Sequence, residues 1–100
     1  MNTFVIRRRN AWQNAHELEI AAGVSARVGN AEMQDKVRWI RSYVVQEDDG
    51  TLGTVCIYQG VTAAAIREHA QRVGMPADEI TPINTTVLIR DDPREEALAA

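Results

Sequence analysis

Apolar and polar positions alternate with period two in four stretches of the chain and recur at helical spacing in two others, and the order of these stretches predicts the architecture. From Thr3 to Arg8, Phe4 and Ile6 fall on one side and Val5 and Arg7 on the other, the pattern of a short strand. Asn10 is a good N-cap for a helix from Ala11 to about Val28, with a buried stripe of Ala11, Ala15, Leu18, Ala22 and Ser25. Gly29-Asn30 suits a left-handed stop, and residues 31–35 connect to the next element. Val37 to Gln46 and Leu52 to Tyr58 are rich in β-branched and aromatic residues, and Asp49-Gly50 between them predicts a two-residue hairpin turn. Counting outward from that turn sets Val44 opposite Val55, Tyr43 opposite Cys56, Ser42 opposite Ile57 and Arg41 opposite Tyr58. Ile40, Val44, Val55 and Ile57 then share a core face, while Trp39, Arg41, Tyr43, Cys56 and Tyr58 share the other. Thr62 caps a second helix, Ala63 to Val73, which turns Ile66, Ala70 and Val73 to the core with His69 on or beside that face. Gly74 ends it. Ile80 to Arg90 alternates again, until Asp91-Asp92-Pro93 stops the strand, because proline cannot donate to a ladder.

The order β-α-β-β-α-β is the split-βαβ, ferredoxin-like arrangement of the α+β class, a four-stranded antiparallel sheet with two helices on one face. Residues 1–93 form one domain, and residues 94–100 a polar and alanine-rich tail. An open sheet face carrying Trp39, Tyr43, Tyr58 and Val87 or Leu88 would be a large apolar patch. Its simplest cover is a second copy packed face to face about 10 Å away, giving a homodimer of the α/β-barrel type.

Composition narrows the function classes. One hundred residues suit one domain, and 45% apolar against 25% charged residues excludes a disordered chain. A net charge of -3 gives no general attraction to nucleic acid or anionic lipid. Arg7-Arg8-Arg9 has no interleaved aromatics, and it reads as the charged end of a strand leaving the sheet for water. No apolar run approaches the roughly 20 residues that span a bilayer. The first arginines follow the first apolar run, the wrong order for a signal peptide. A single cysteine fits a reducing compartment, so the expected location is the cytoplasm.

Two chemistries compete. Trp39, Arg41, Tyr43 and Tyr58 could line a pocket for a small anionic or aromatic molecule, since arginine pairs with carboxylates and stacks on rings. That reading gives a small-molecule binder or a cofactor-independent enzyme of oxygenase or isomerase type. In the register above, Cys56 and His69 lie on opposite sides of the sheet, which argues against a thiol–imidazole couple. For metal, Cys56, His16 and His69 are the soft or borderline ligands, and Glu68 is one of many carboxylates. None has the spacing of a structural zinc site, and one chain offers too few ligands for a closed site, so a metal would draw on two subunits.

Three segments add a resemblance. Trp39-Ile40-Arg41-Ser42-Tyr43-Val44, Val55-Cys56-Ile57-Tyr58, and Ala65-Ile66-Arg67-Glu68-His69-Ala70 with Gly74-Met75-Pro76-Ala77-Asp78 resemble a small bacterial family long catalogued as a domain of unknown function and labelled nickel-binding or nickel-responsive. The likeness covers Lys36 to Asp92. It implies a ferredoxin-like dimer that holds nickel or another divalent transition metal, in sequestration or response rather than catalysis. The expected ligands are His69 and Cys56, then His16 and Glu68. Many relatives carry histidine where Arg41 stands here, and arginine does not ligate metals.

Overall fold

A computed structural model describes residues 1–77 and 79–93 of the chain. Its elements are β1 (Asn2–Trp12), α1 (Ala15–Arg27), β2 (Val37–Gln46), β3 (Leu52–Gly60), α2 (Ala63–Val73) and β4 (Glu79–Pro82). The strands form one antiparallel sheet in the order β2-β3-β1-β4, with the ferredoxin-like arrangement that the element order predicts. Both helices lie on one face. Between helices and sheet sits the core of Phe4, Ile6, Val28, Met33, Val37, Cys56, Tyr58, Ala65 and Ile66. The second helix matches its sequence signals: Thr62 accepts from the Ala65 amide, and Gly74 closes the helix in the left-handed region at φ 82. The tail 94–100 lies outside the described residues.

Four expectations are corrected. Asn10 does not cap α1. It sits at φ 50 inside a longer β1, where its amide and side chain bond Glu47, Asp49 and Thr51 of the hairpin loop. The strand runs on to Trp12, and Asn14 caps α1 by accepting from the Glu17 amide. The Gly29-Asn30 stop does not form either. The helix instead widens into a π-turn over Val28–Glu32, with the Met33 amide bonded to the Val28 carbonyl.

The third correction moves the faces of the sheet. The hairpin loop holds three residues, Asp48-Asp49-Gly50, with Gly50 at φ 90 and its amide bonded to the Glu47 carbonyl. This is a turn followed by a left-handed residue, the usual alternative to a two-residue primed turn. Every pairing therefore slips by one, so Val44 faces Thr54, Tyr43 faces Val55, Ser42 faces Cys56 and Arg41 faces Ile57. A slip of one residue turns a strand's side chains to the opposite face of its partner's. A bulge between Trp39 and Arg41 then flips the parity within β2, so that Trp39 pairs with Tyr58 on the same side as Ser42 and Cys56. Trp39, Cys56 and Tyr58 thus point at the helices, whereas Arg41 and Tyr43 point away. Cys56 and Tyr58 are core residues, and Ile40, expected in the core, is exposed.

The fourth correction is β4, which stops at Pro82 rather than Arg90. It pairs from Arg7↔Glu79 to Phe4↔Pro82 and therefore runs off the start of β1. Ile83 still donates to the Thr3 carbonyl, but beyond it residues 84–92 pair with no strand among the described residues. Residues 84–92 are exposed. They reach back to β2, where the Tyr43 hydroxyl donates to Asp92.

Candidate functional site

The slipped register gathers polar side chains beneath α1. On β1, alternation carries the Phe4 and Ile6 side of the strand on to Arg8, which is 2% exposed. Arg8 pairs with Thr54 of β3, and Ile6 with Cys56, so Arg8, Thr54 and Cys56 share the helix-facing side. Ser42 and Val44 arrive there from β2, opposite Cys56 and Thr54. Leu18, Ala22 and Ser25 of α1 form the roof. Together with Trp12, Trp39, Tyr58 and Met75 these residues line a cleft of about 540 Å³, within the usual size of small-molecule sites. Tyr43 is among the lining residues although its side chain belongs to the open face, where its hydroxyl bonds Asp92, and Arg41 does not line the cleft.

The cleft has apolar walls and a polar floor. Trp39 stacks on Tyr58 with ring centroids 6.1 Å apart and planes 9° from parallel. The Trp39 indole donates to Ser42 Oγ at 2.8 Å, and Ser42 donates in turn to Cys56 Sγ at 3.0 Å. Arg8 reaches the same sulfur with Nη1 at 3.4 Å and donates Nε to the Pro76 carbonyl at 2.7 Å. Two buried groups remain without hydrogen-bond partners at this floor among the described residues, Arg8 Nη2 and Thr54 Oγ1.

Behind Tyr58 lies a second polar group. The Tyr58 hydroxyl and Ser25 Oγ share a hydrogen bond of 2.8 Å, and burial pushes the phenol's pKa up, so the proton stays on. The His69 ring packs against Tyr58 with its Nε2 3.1 Å from the Ser25 carbonyl. A carbonyl only accepts, so Nε2 carries the proton. Burial holds the imidazole below its ordinary pKa and neutral, which leaves Nδ1 as an acceptor with no partner among the described residues.

The structure scatters the expected metal ligands. Cys56 and His69 both face the helix side, which removes the topological objection to their meeting, but the hydrogen-bond partners of Cys56 are Ser42 and Arg8. His16 is exposed on α1, and Glu68 pairs with Arg72 across one turn of α2 at 2.8 Å. Among the described residues, no group of three or more His, Cys, Asp or Glu side chains could hold a metal ion. The described residues of one chain therefore do not by themselves make up a nickel site. Of the expected pocket residues, Trp39, Tyr43 and Tyr58 do line one cleft, on the opposite side of the sheet from that expected. Sequence reasoning missed Arg8, Trp12, Ser25, Ser42 and Thr54. A signal for Arg8 existed, since it continues the Phe4–Ile6 parity.

Comparison with known proteins fits this architecture. A family model described as "Nickel responsive protein SCO4226-like" matches residues 4–83. The crystal structure of SCO4226 from Streptomyces coelicolor A3(2) superimposes with a TM-score of 0.66 at 20% identity, covering 85% of this chain and 99% of that one. No curated protein matches the sequence. No helix among the described residues is long and apolar enough to cross a membrane.

Proposed function

Since the chain belongs to the SCO4226-like nickel-responsive family, we propose that it is a small cytoplasmic binding protein whose working site is the cleft beneath α1, where a small molecule sits. One observation carries this reading. A cleft of ligand size joins aromatic walls to a floor where two buried polar atoms, Arg8 Nη2 and Thr54 Oγ1, have no partner among the described residues. Such groups are costly unless something satisfies them. The test uses the chain's only two tryptophans, Trp12 and Trp39, both of which line the cleft. Titration with N-phenyl-1-naphthylamine, a neutral apolar fluorophore, should quench tryptophan emission saturably and slow alkylation of Cys56. No saturable signal would reject the cleft as a binding site.

The family description favours a second reading, in which the protein binds nickel as a homodimer. The described residues of one chain gather no ligand set, so a second copy would complete it, with exposed His16 as the accessible imidazole. The sheet supports pairing. Val5, Val55 and Ile57 are only half-buried on the open face, and Val87, Leu88 and Ile89 are 80%, 65% and 78% exposed on a segment with no partner strand among the described residues. Exposed apolar surface of this kind marks an interface. Calorimetric nickel titration of wild type, His16→Ala and His69→Ala decides the metal reading. No heat in wild type ends it, and equal heat in all three removes both histidines from the site.

A further inference from the structure

We propose that the cleft takes a small organic monoanion, an apolar or aromatic body ending in a carboxylate, with the Arg8 guanidinium as its anchor. The inference rests on the cleft being a binding site and specifies what that site selects.

Arg8 is the observation that carries it. A guanidinium stays charged in any protein environment, and arginine is almost never fully buried unless paired. Three more accessible arginines have carboxylate partners: Arg7 pairs with Glu47, Arg9 with Glu79, and Arg72 with Glu68 and Glu32. Arg8 is 2% exposed, yet among the described residues it has no carboxylate partner. Its Nε and Nη1 are spent on the Pro76 carbonyl and Cys56 Sγ, while Nη2 has no partner among the described residues. The group that most needs a counter-ion is the one left without a carboxylate among the described residues.

The second observation is independent. Thr54 is also 2% exposed, sits directly across the β1–β3 ladder from Arg8 and lines the same cleft, and its Oγ1 is likewise unpartnered. Two neighbouring donors, one cationic and one neutral, match the two oxygens of one carboxylate. A single positive charge in an apolar-walled cleft also selects a monoanion, because a dianion would bury one charge uncompensated. The Trp39–Tyr58 stack offers a flat surface for the rest of the molecule.

The experiment measures displacement of N-phenyl-1-naphthylamine by three molecules of one shape: 2-naphthoate, 2-naphthamide and 2-naphthylmethanol. In the unmodified protein the carboxylate should bind about tenfold tighter than either neutral analogue, as a charge-assisted hydrogen bond implies. Arg8→Met should abolish that preference while the neutral analogues still bind. Should Arg8→Met fail to fold, Thr54→Val is expected to lower carboxylate affinity severalfold with little change for the neutral pair, and the wild-type comparison stands without either variant. Equal or tighter binding of the amide in wild type would overturn the anion proposal and leave the cleft as a binding site. If the fluorophore and all three naphthyl compounds fail to bind, both readings fall.

Discussion

Acidification below about pH 6.5 should weaken the fold through His69. The side chain is 1% exposed, its Nε2–H is committed to the Ser25 carbonyl, and Nδ1 faces no donor or acceptor among the described residues. Protonation would place a second N–H in a dry site without an acceptor, and would add a cation in a region already charged by Arg8. Burial is the larger of these effects, and both lower the pKa of the folded imidazole below the ordinary 6.5. The unfolded chain therefore binds a proton in a pH range where the folded one does not, so stability is complete above pH 6.5 and falls as pH drops towards the folded value. One proton sets an upper slope of about 1.4 kcal/mol per pH unit. Urea unfolding followed by tryptophan emission, from about pH 7.5 to about pH 5.5, gives the measurement. Glu47, Asp49 and Glu79 carry lowered pKa values and act in the same direction, but below their ordinary 4.5, 3.8 and 4.5, outside that range. His69→Gln keeps an N–H near Nε2 and removes the titration, so its stability should stay flat where wild type declines. Parallel slopes in the two proteins would refute the argument.

Three further outcomes follow from particular contacts. Tyr58→Phe and Ser25→Ala each leave the other hydroxyl buried and unpartnered, so each should cost about 1–2 kcal/mol, with a coupling near 1 kcal/mol in the double variant; strict additivity by urea unfolding would count against the bond. Gly53→Ala should cost about 1–3 kcal/mol, because the new methyl would meet the Arg8 carbonyl oxygen at 2.5 Å and Arg7 Nη1 at 2.7 Å; an unchanged urea midpoint would contradict it. If the proposed dimer forms through this segment, replacing Val87, Leu88 and Ile89 with serine should shift it to monomer in light scattering without loss of helical circular dichroism, since these side chains are largely exposed. A variant that stays dimeric would place the interface elsewhere.

The sequence made element order and α2 legible because their signals are local. Thr62, Ile66, Ala70 and Gly74 each act within a few residues, and the helix they define is the one observed. The hairpin was harder. Asp49-Gly50 marks a turn, but whether that turn holds two residues or three is settled by Glu47 and Thr51 together with Asn10, about forty residues away, which bonds both and Asp49. Nothing local reports that contact. β3 gave no warning, because Val55 and Ile57 are as apolar as Cys56 and Tyr58, so either parity reads as a core face. The error at β4 has the opposite character. Its alternation is real, but a strand also needs a partner, and the pairing with β1 ends where β1 begins.

The same parity argument explains why a functional reading centred on Trp39, Arg41, Tyr43 and Tyr58 found the right aromatic pair and the wrong arginine. Arg41 stands on the open face, 47% exposed at its side chain and 3.9 Å from Asp92, in the screened setting where an ion pair is worth little. Arg8 lies in a triple-arginine run that composition treats as solvated charge, yet it continues the Phe4 and Ile6 face. Its neighbours on either side turn out to water and to Glu47 and Glu79, as alternation requires. A positive charge directed into the core by strand geometry, with no carboxylate partner among the described residues, costs several kcal/mol relative to an apolar residue of similar size. A chain of 100 residues has little stability to spare for such a group. The cost is recovered when an anion enters the cleft, so Arg8→Met should leave the ligand-free protein at least as stable as wild type while removing its preference for carboxylates. Loss of stability in the ligand-free variant, with carboxylate preference intact, would make Arg8 a structural brace between Pro76 and Cys56 and nothing more.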